Sequence, residues 1–201
     1  MVERRGPVVA DARAVVVLLH GRGRDPADVL QLADRIALDD VAYLAPAAPG
    51  RTWYPQSFLA PLEDNEPWLS RALASVDELV RAVEDPRRVV LAGFSQGACL
   101  IADHVAAAGP RRFAGAAVLT GALIGTPDER ATPSVAHGLP MAFASSRHDE
   151  WVSLADARAT ADAFGAAGAD VRWLELDDRV HHVSDRAVDA LRELLTAIAP
   201  R

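Results

Sequence analysis

Short apolar runs alternate along this chain with longer stretches in which apolar residues recur every three or four positions. The short runs are rich in leucine and β-branched residues and predict strands of a parallel sheet at 15–19, 41–45, 87–92, 113–120, 139–145 and 171–176. The longer stretches predict helices at 25–38, 67–83, 95–108, 154–167 and 184–198. Their alternation predicts a doubly wound, mostly parallel sheet with helices on both faces.

Residues at the ends of these segments support the predicted boundaries. Asp25 is suited to cap the first helix, with Pro26 at its first position, and Ser184 is suited to cap the last helix. The stretch 46–66 is rich in proline and aromatic residues and is too long for an idle connection. No repeat, low-complexity tract or interdomain linker interrupts the pattern, so we predict a single α/β domain over residues 1–201.

Composition and charge narrow the classes of function. Half of the 201 residues are hydrophobic, which is enough for a sizeable core. The net charge of −7 argues against binding to nucleic acid or to an anionic membrane, because phosphate groups would be repelled. Cys99 is the one cysteine, so an internal disulfide is excluded. No apolar run is long enough to span a bilayer, and we predict a cytoplasmic protein without integral membrane association.

The most informative motif is Gly93-Phe94-Ser95-Gln96-Gly97, which lies between a predicted strand and a predicted helix. A G-x-S-x-G motif in that position is typical of the nucleophile elbow of α/β-hydrolases. The glycines are required because the turn is so tight that larger side chains would collide with neighbouring backbone. We expect a strained backbone at Ser95, with its hydroxyl above the sheet as the nucleophile.

A serine hydroxyl needs a histidine base and an orienting carboxylate to act as a nucleophile near neutral pH. In α/β-hydrolases the acid and then the histidine follow the serine along the chain. Asp149 follows the strand predicted at 139–145, and His182 directly precedes the last helix. We therefore predict a triad of Ser95, Asp149 and His182. Its members lie at the carboxyl ends of predicted parallel strands, where sites form in such sheets.

Neighbouring residues are alternatives for two of these three positions. His181 is the other candidate for the base, and we favour His182 because it stands just before the start of the last helix. Glu150 and the pair Asp177 and Asp178 are the other candidates for the acid. The six histidines have no spacing typical of metal ligands, so we predict no metal site.

A glycine-rich motif, His20-Gly21-Arg22-Gly23, ends the first predicted strand. Acyl transfer develops a negative charge on the carbonyl oxygen, and preorganised N–H donors must stabilise that charge. The predicted donors of this oxyanion hole are the backbone N–H groups of Arg22 and Gln96. The two glycines allow the loop to fold so that the Arg22 N–H faces the site.

Six short motifs lie along the chain: L-H-G-R-G at 19–23, A-P-A-A-P at 45–49, W-Y at 53–54, G-F-S-Q-G-A at 93–98, D-E-W-V at 149–152 and H-V-S-D at 182–185. Together they resemble the phospholipase/carboxylesterase family of α/β-hydrolases, which includes the acyl-protein thioesterases. The resemblance implies a serine esterase with the α/β-hydrolase fold, a minimal cap or none, no metal and no cofactor. It also implies the same roles for Ser95, Asp149, His182 and the backbone of Arg22 and Gln96.

The aromatic stretch departs from the thioesterase branch of that family. That branch commonly has Trp-Phe/Tyr-Asp, whereas this chain has Trp53-Tyr54-Pro55, which is more similar to a small bacterial carboxylesterase branch. We predict that the side chains of Trp53, Tyr54 and Phe58 line an acyl or alcohol pocket near the strand ends; the alternative is that some of them pack the long loop onto the core.

The sequence thus predicts a serine hydrolase that cleaves carboxylic esters with short to medium acyl groups through an acyl-serine intermediate. An acyl-thioesterase or a lysophospholipase with the same machinery is the nearest alternative, and a non-catalytic ligand receptor on this fold is an alternative of another class. The expected partner is a small-molecule ester, with no nucleic acid, and the expected state is a monomer or a homodimer.

Overall fold

A mostly parallel sheet of seven strands forms the centre of the computed structural model, which describes residues 1–109, 113–135 and 137–198. The strands are β1 (Val2–Arg5), β2 (Ala14–Leu19), β3 (Val41–Pro46), β4 (Val89–Phe94), β5 (Gly115–Leu119), β6 (Pro140–Ser146) and β7 (Asp170–Leu176). Their order across the sheet is β1-β3-β2-β4-β5-β6-β7. β1 runs antiparallel to β3, and the other neighbouring strands are parallel. The predicted doubly wound sheet is confirmed.

Helices cover both faces of the sheet. They are α1 (Pro26–Ile36), α2 (Leu62–Asn65), α3 (Trp68–Arg81), α4 (Gln96–Ala107), α5 (Leu154–Ala166) and α6 (Asp185–Thr196), with 3₁₀ turns at Pro49–Arg51 and Pro86–Arg88. The apolar sides of α3, α4 and α5 pack on one face, and those of α1 and α6 pack on the other. In the part of the chain that the structure describes, no helix has the length and apolar character needed to cross a bilayer.

The all-apolar sequence of β2 follows from its central position. Successive side chains of a strand point to opposite faces, so Val15 and Val17 enter one core while Val16 and Leu18 enter the other. Every residue of β2 is buried, as expected for a strand covered by helices on both sides.

The predicted helix caps are confirmed, and the first strand was missed. The Asp25 side chain accepts the Asp28 N–H in a capping box ahead of α1, and the Ser184 side chain accepts the Ala187 N–H ahead of α6. β1 is short, charged and largely exposed, so its sequence carries no apolar pattern. It is defined by its pairing with β3, which the sequence does not encode locally.

The helix after the serine motif is buried on almost every side, and it holds the segment that follows β5 in place. The Asp103 carboxylate accepts the Ile124 N–H at 2.9 Å, and the Cys99 Sγ accepts the Ala122 N–H at 3.4 Å. Desolvation by burial raises the pKa of Asp103 to about 7, although the Ile124 N–H and the charge of Arg130 act in the opposite direction. Asp103 is thus a pH-sensitive element of the fold.

We expect Asp103→Asn to stabilise the protein at pH 8 but not at pH 4. An unfolded aspartate loses its proton near pH 4, whereas Asp103 in the folded state keeps its proton to about pH 7. The wild type therefore loses stability as the pH rises through this window, and the loss is complete above it. The asparagine retains an oxygen for the Ile124 N–H and removes the charge. Denaturant unfolding should give a gain of about 2 to 4 kcal/mol at pH 8.

The matched control is Asp39→Asn, which changes an exposed aspartate and should leave the pH dependence of unfolding unaltered. An equal effect of Asp103→Asn at pH 4 and pH 8 would contradict the assignment.

Candidate active site

The strand-to-helix turn at Ser95 has the strained geometry of a nucleophile elbow. Ser95 has φ 56° and ψ −121°, a conformation that side-chain-bearing residues rarely adopt. A Cβ on Gly93 would lie 2.5 Å from the backbone of Gly97, and a Cβ on Gly97 would lie 2.5 Å from the carbonyl oxygen of Leu19. Both glycines are therefore required by close backbone approach. Thr120, at the end of the neighbouring strand β5, also has a positive φ of 57°.

The imidazole that reaches Ser95 belongs to His181. Its Nε2 lies 2.8 Å from the Ser95 Oγ, and its Nδ1 lies 2.7 Å from the Asp149 Oδ2. A carboxylate only accepts hydrogen bonds, so the Nδ1 carries the proton and the Nε2 is left to accept the serine hydroxyl proton. The Phe94 ring lies beside the imidazole, with 4.7 Å between the two ring centroids.

The prediction of His182 as the base was wrong. His182 is exposed, and its Nδ1 bonds the Val180 carbonyl oxygen at 2.8 Å. The two histidines lie in a non-helical segment after β7, where adjacent side chains project in different directions, so only one of them can face Ser95. The preference for the residue nearest the helix start had no physical basis, because a helix start does not fix the direction of the side chain before it.

Asp149 is anchored by its second oxygen. Oδ1 accepts the backbone N–H groups of Trp151 and Val152, each at 2.9 Å, which leaves Oδ2 for His181. The carboxylate side chain is only 3% exposed. Burial acts to raise the pKa of Asp149, but the hydrogen bonds from His181, Val152 and Trp151 together outweigh it and hold that pKa below its ordinary value. Asp149 is thus ionised at neutral pH.

The other candidate carboxylates lie apart from the serine. Asp177 bonds the His148 Nε2 at 2.9 Å and is largely exposed. The carbonyl oxygen of Asp178 accepts the hydroxyl of Ser146, and Glu150 is exposed. The first two contacts connect the loop after β6 to the loop after β7, so they hold together the segments that carry the acid and the histidine.

His20 holds the glycine loop in place against the serine. The Ala48 N–H donates to the His20 Nε2 at 3.1 Å, so the Nδ1 carries the proton and donates to the Gly21 carbonyl oxygen at 2.8 Å. Burial lowers the pKa of His20, which favours this neutral form. A Cβ on Gly21 would lie 3.3 Å from the Ser95 Cβ, so the loop closely adjoins the serine.

The two predicted oxyanion donors have open N–H groups. Within the described part of the chain, neither the Arg22 N–H nor the Gln96 N–H has a hydrogen-bond acceptor. The Gln96 N–H lies at the start of α4, where helical N–H groups have no acceptor in their own helix. The Arg22 guanidinium is not part of the predicted oxyanion hole, because it donates to the carbonyl oxygens of Pro55 and Gln56.

The structure does not place Trp53, Tyr54 or Phe58 in a pocket beside His181; Trp53 lines a separate cleft next to α3 instead. All three are buried in the core, with exposures of 3%, 1% and 8%. The Gln96 side chain accepts the Trp53 N–H at 3.0 Å and donates to the Tyr54 carbonyl oxygen at 2.7 Å, so it holds this segment against α4. The Tyr54 hydroxyl bonds Cys99 inside the core. These aromatic residues thus pack the segment 53–58 against the helix that follows Ser95.

A cleft of about 450 Å³ opens beside the imidazole, on the side of α1. Its inner wall is formed by His20, Gly21, Phe94 and His181. Trp53, Tyr54 and Phe58 are not among its described lining residues. Across residues 1–109, 113–135 and 137–198, no three His, Cys, Asp or Glu side chains are grouped so that they could hold a metal ion.

The amino-acid sequence matches a known family over nearly the whole chain. The sequence profile of the phospholipase/carboxylesterase family matches residues 8–199. The chain belongs to the phospholipase/carboxylesterase family. It is therefore a member of an α/β-hydrolase family of the esterase and thioesterase type. A search of curated protein sequences found no match to this chain.

Solved structures with this fold are similar over nearly their whole length. A phospholipase/carboxylesterase from Dyadobacter fermentans is 30% identical, with 97% of this chain and 95% of that chain covered and a TM-score of 0.89. The esterase PE8 is 24% identical, with 98% of each chain covered and a TM-score of 0.78. Acyl-protein thioesterase 2 from Zea mays is 21% identical, with 98% of each chain covered and a TM-score of 0.75.

We expect His181→Ala and His182→Ala to separate the two histidines. His181→Ala removes the group bonded to both Ser95 and Asp149, and it should lower kcat for 4-nitrophenyl acetate by about four orders of magnitude. His182→Ala removes an exposed side chain that lines the cleft but bonds neither Ser95 nor Asp149, and it should lower kcat far less. Thermal melts of both variants show whether the fold is retained. The reverse pattern of activity would contradict the contacts described above.

Proposed function

We propose that this chain, acting as a single domain, hydrolyses carboxylic esters with short to medium acyl groups through an acyl-serine intermediate. The observation that carries the proposal is the imidazole of His181, bonded at once to the Ser95 hydroxyl at 2.8 Å and to the Asp149 carboxylate at 2.7 Å. Contacts of this length in this order are those that a serine nucleophile requires.

In the first half of the proposed reaction, the Ser95 Oγ attacks the ester carbonyl carbon while its proton passes to the His181 Nε2. The imidazolium that forms is stabilised by Asp149, whose carboxylate remains ionised. The tetrahedral intermediate collapses, the bond from carbon to the alcohol oxygen breaks, and the His181 Nε2 returns the proton to the departing alcohol. An acyl group remains on Ser95.

The developing oxyanion is met by the backbone N–H groups of Arg22 and Gln96. Their lack of acceptors in the described structure supports this role, because both groups are available without breaking an existing hydrogen bond. Each such donor contributes roughly 3 kcal/mol of transition-state stabilisation. The neutral form of His20 supports the Gly21 carbonyl, so the loop keeps its shape as substrate charge develops.

Water completes the cycle by the same route. The water oxygen attacks the acyl carbon while the His181 Nε2 takes a proton from the water. The tetrahedral intermediate collapses, the bond from the acyl carbon to the Ser95 Oγ breaks, and His181 returns the proton to that oxygen. The acid leaves and the free enzyme is restored. The second half thus reuses the same base, the same two N–H donors and the same carboxylate.

Removal of the nucleophile is the direct test. We expect Ser95→Ala to abolish turnover of 4-nitrophenyl esters from acetate to octanoate, since no other group replaces the attacking oxygen. A fluorophosphonate should add to the wild type and not to Ser95→Ala, as read by intact mass. Ser153→Ala, which changes a helix-capping serine ahead of α5, is the control and should still be labelled. Turnover by Ser95→Ala at the wild-type rate would end the proposal.

Matched oxygen and thio esters test the nearest alternative. A thioesterase would use the same Ser95, Asp149 and His181, so only relative rates distinguish the two activities. We expect kcat/KM for phenyl acetate, relative to its rate with hydroxide, to exceed the same ratio for phenyl thioacetate. A preference for the thioester would replace carboxylesterase by thioesterase activity, and labelling of Ser95 without turnover of either ester would favour a receptor.

A further inference from the structure

The cleft described above is lined by His181, and Ser95 is not among its described lining residues, so an ester that reacts at Ser95 can place only part of itself there. In the proposed reaction the alcohol oxygen receives its proton from the His181 Nε2, so the alcohol must lie next to that ring. His181 and Val183 line the cleft together with Val29 and Leu32 of α1. The volume of about 450 Å³ accommodates a substituent as large as an aromatic ring.

Most charged side chains in this cleft already have partners. Arg35 donates to the Val183 carbonyl oxygen at 2.8 Å and pairs with Asp185 at 2.7 Å. The Asp28 carboxylate accepts the backbone N–H of Asp25 in the capping box of α1. Arg35 and Asp185 offset each other's charge, whereas the Asp28 carboxylate is held only by a neutral N–H group and has no cationic partner among the described residues.

Arg24 is different, because its guanidinium has no hydrogen-bond or ion-pair partner among the described residues. Its backbone is fixed, since the Arg24 N–H donates to the Gly21 carbonyl oxygen at 3.2 Å. Gly21 in turn adjoins Ser95, so the backbone of Arg24 is held in the loop beside the nucleophile, and Arg24 lines the same cleft as His181. An open arginine at this place is notable in a chain whose 28 acidic residues outnumber its 21 basic residues.

We propose that Arg24 binds a carboxylate carried by the alcohol part of the substrate, so that esters with an anionic alcohol are preferred. The planar guanidinium presents paired N–H donors that match the two oxygens of a carboxylate. The inference rests on the proposed function, because it assigns the alcohol to the side of His181. It makes Arg24 a specificity-determining residue.

Two acetate esters with different alcohols test the proposal. They are 4-acetoxybenzoate, whose leaving phenol carries a carboxylate, and 4-acetoxybenzamide, whose leaving phenol is neutral. Each kcat/KM is divided by the rate of hydrolysis of the same ester by hydroxide, which corrects for intrinsic reactivity. We expect the wild type to prefer the carboxylate ester and Arg24→Gln to lose about tenfold on that ester alone. Added salt should reduce the preference of the wild type.

The matched control is Arg71→Gln, on α3. Arg71 is another exposed arginine whose guanidinium has no partner in the described structure, and it does not line this cleft. It should leave the ratio of the two esters unchanged. An acyl-side pair, monophenyl succinate and phenyl butyrate, tests the orientation. A preference for the succinate that Arg24→Gln removes would overturn the assignment to the alcohol side.

Binding of the product separates this inference from the proposed function. Ligand-observed NMR should detect 4-hydroxybenzoate binding to Ser95→Ala, and this binding should disappear in the double variant Ser95→Ala, Arg24→Gln. If both esters are turned over and Arg24→Gln leaves their ratio unchanged, the inference fails while the esterase proposal stands. If neither ester is turned over and 4-hydroxybenzoate still binds through Arg24, the esterase proposal fails and the anion site stands. If neither ester is turned over and 4-hydroxybenzoate does not bind, both the esterase proposal and the Arg24 inference fail.

Discussion

The close approach of helix α4 to strands β2 and β4 is the constraint on which the site depends. Gly97 lies so near the carbonyl oxygen of Leu19 that no side chain fits between them, and Gly93 lies as near to Gly97. This contact forces the sharp turn at Ser95 and lifts its hydroxyl from the end of the sheet. It also brings the segment after Leu19 beside the serine, so nucleophile and glycine loop are positioned by one packing event. A larger residue at either glycine would separate them.

Polar side chains convert this packing into a rigid site. The loops around the serine are held by backbone hydrogen bonds and by the side chains of His20, Gln96 and Asp149, which bond further backbone N–H groups. In each of these side chains both polar atoms form hydrogen bonds. In Asp149, for example, one oxygen accepts two backbone N–H groups and the other accepts the His181 N–H. Such fully bonded groups keep the catalytic atoms in place before substrate arrives, which avoids reorganisation during the reaction.

The sequence predicted the sheet, the helix caps and the elbow because each has a local cause. Apolar runs, a capping Asp25 and the glycines around Ser95 act over a few residues, so their pattern is sufficient. The edge strand at Val2–Arg5 was missed because its stability comes from pairing with a distant strand. The choice between His181 and His182 failed for a similar reason. They are adjacent residues with the same chemistry, and only the three-dimensional course of the loop decides which imidazole points at the serine.

The aromatic residues of 53–58 illustrate a second limit of sequence reasoning. A run of large apolar side chains near strand ends is equally consistent with a pocket wall and with a core. Here the bonds from Gln96 to Trp53 and Tyr54 turn the run inward. Their polar partner, Gln96, lies 43 and 42 positions away along the chain, and its backbone N–H is one of the two predicted oxyanion donors. The pattern of hydrophobic positions contains no information about that contact.

Thr120 and Ser95 both have a positive φ, and this backbone at Thr120 has a consequence for the evolution of the protein. Two adjacent strands end in conformations that a side-chain-bearing residue adopts only at an energetic cost, and for a β-branched threonine the cost is especially high. A glycine at position 120 would adopt this backbone without the steric cost, and its greater freedom in the unfolded chain would offset part of that gain. Selection for stability alone would therefore favour replacement of this threonine. A threonine that is retained at position 120 in related sequences would indicate that function requires it.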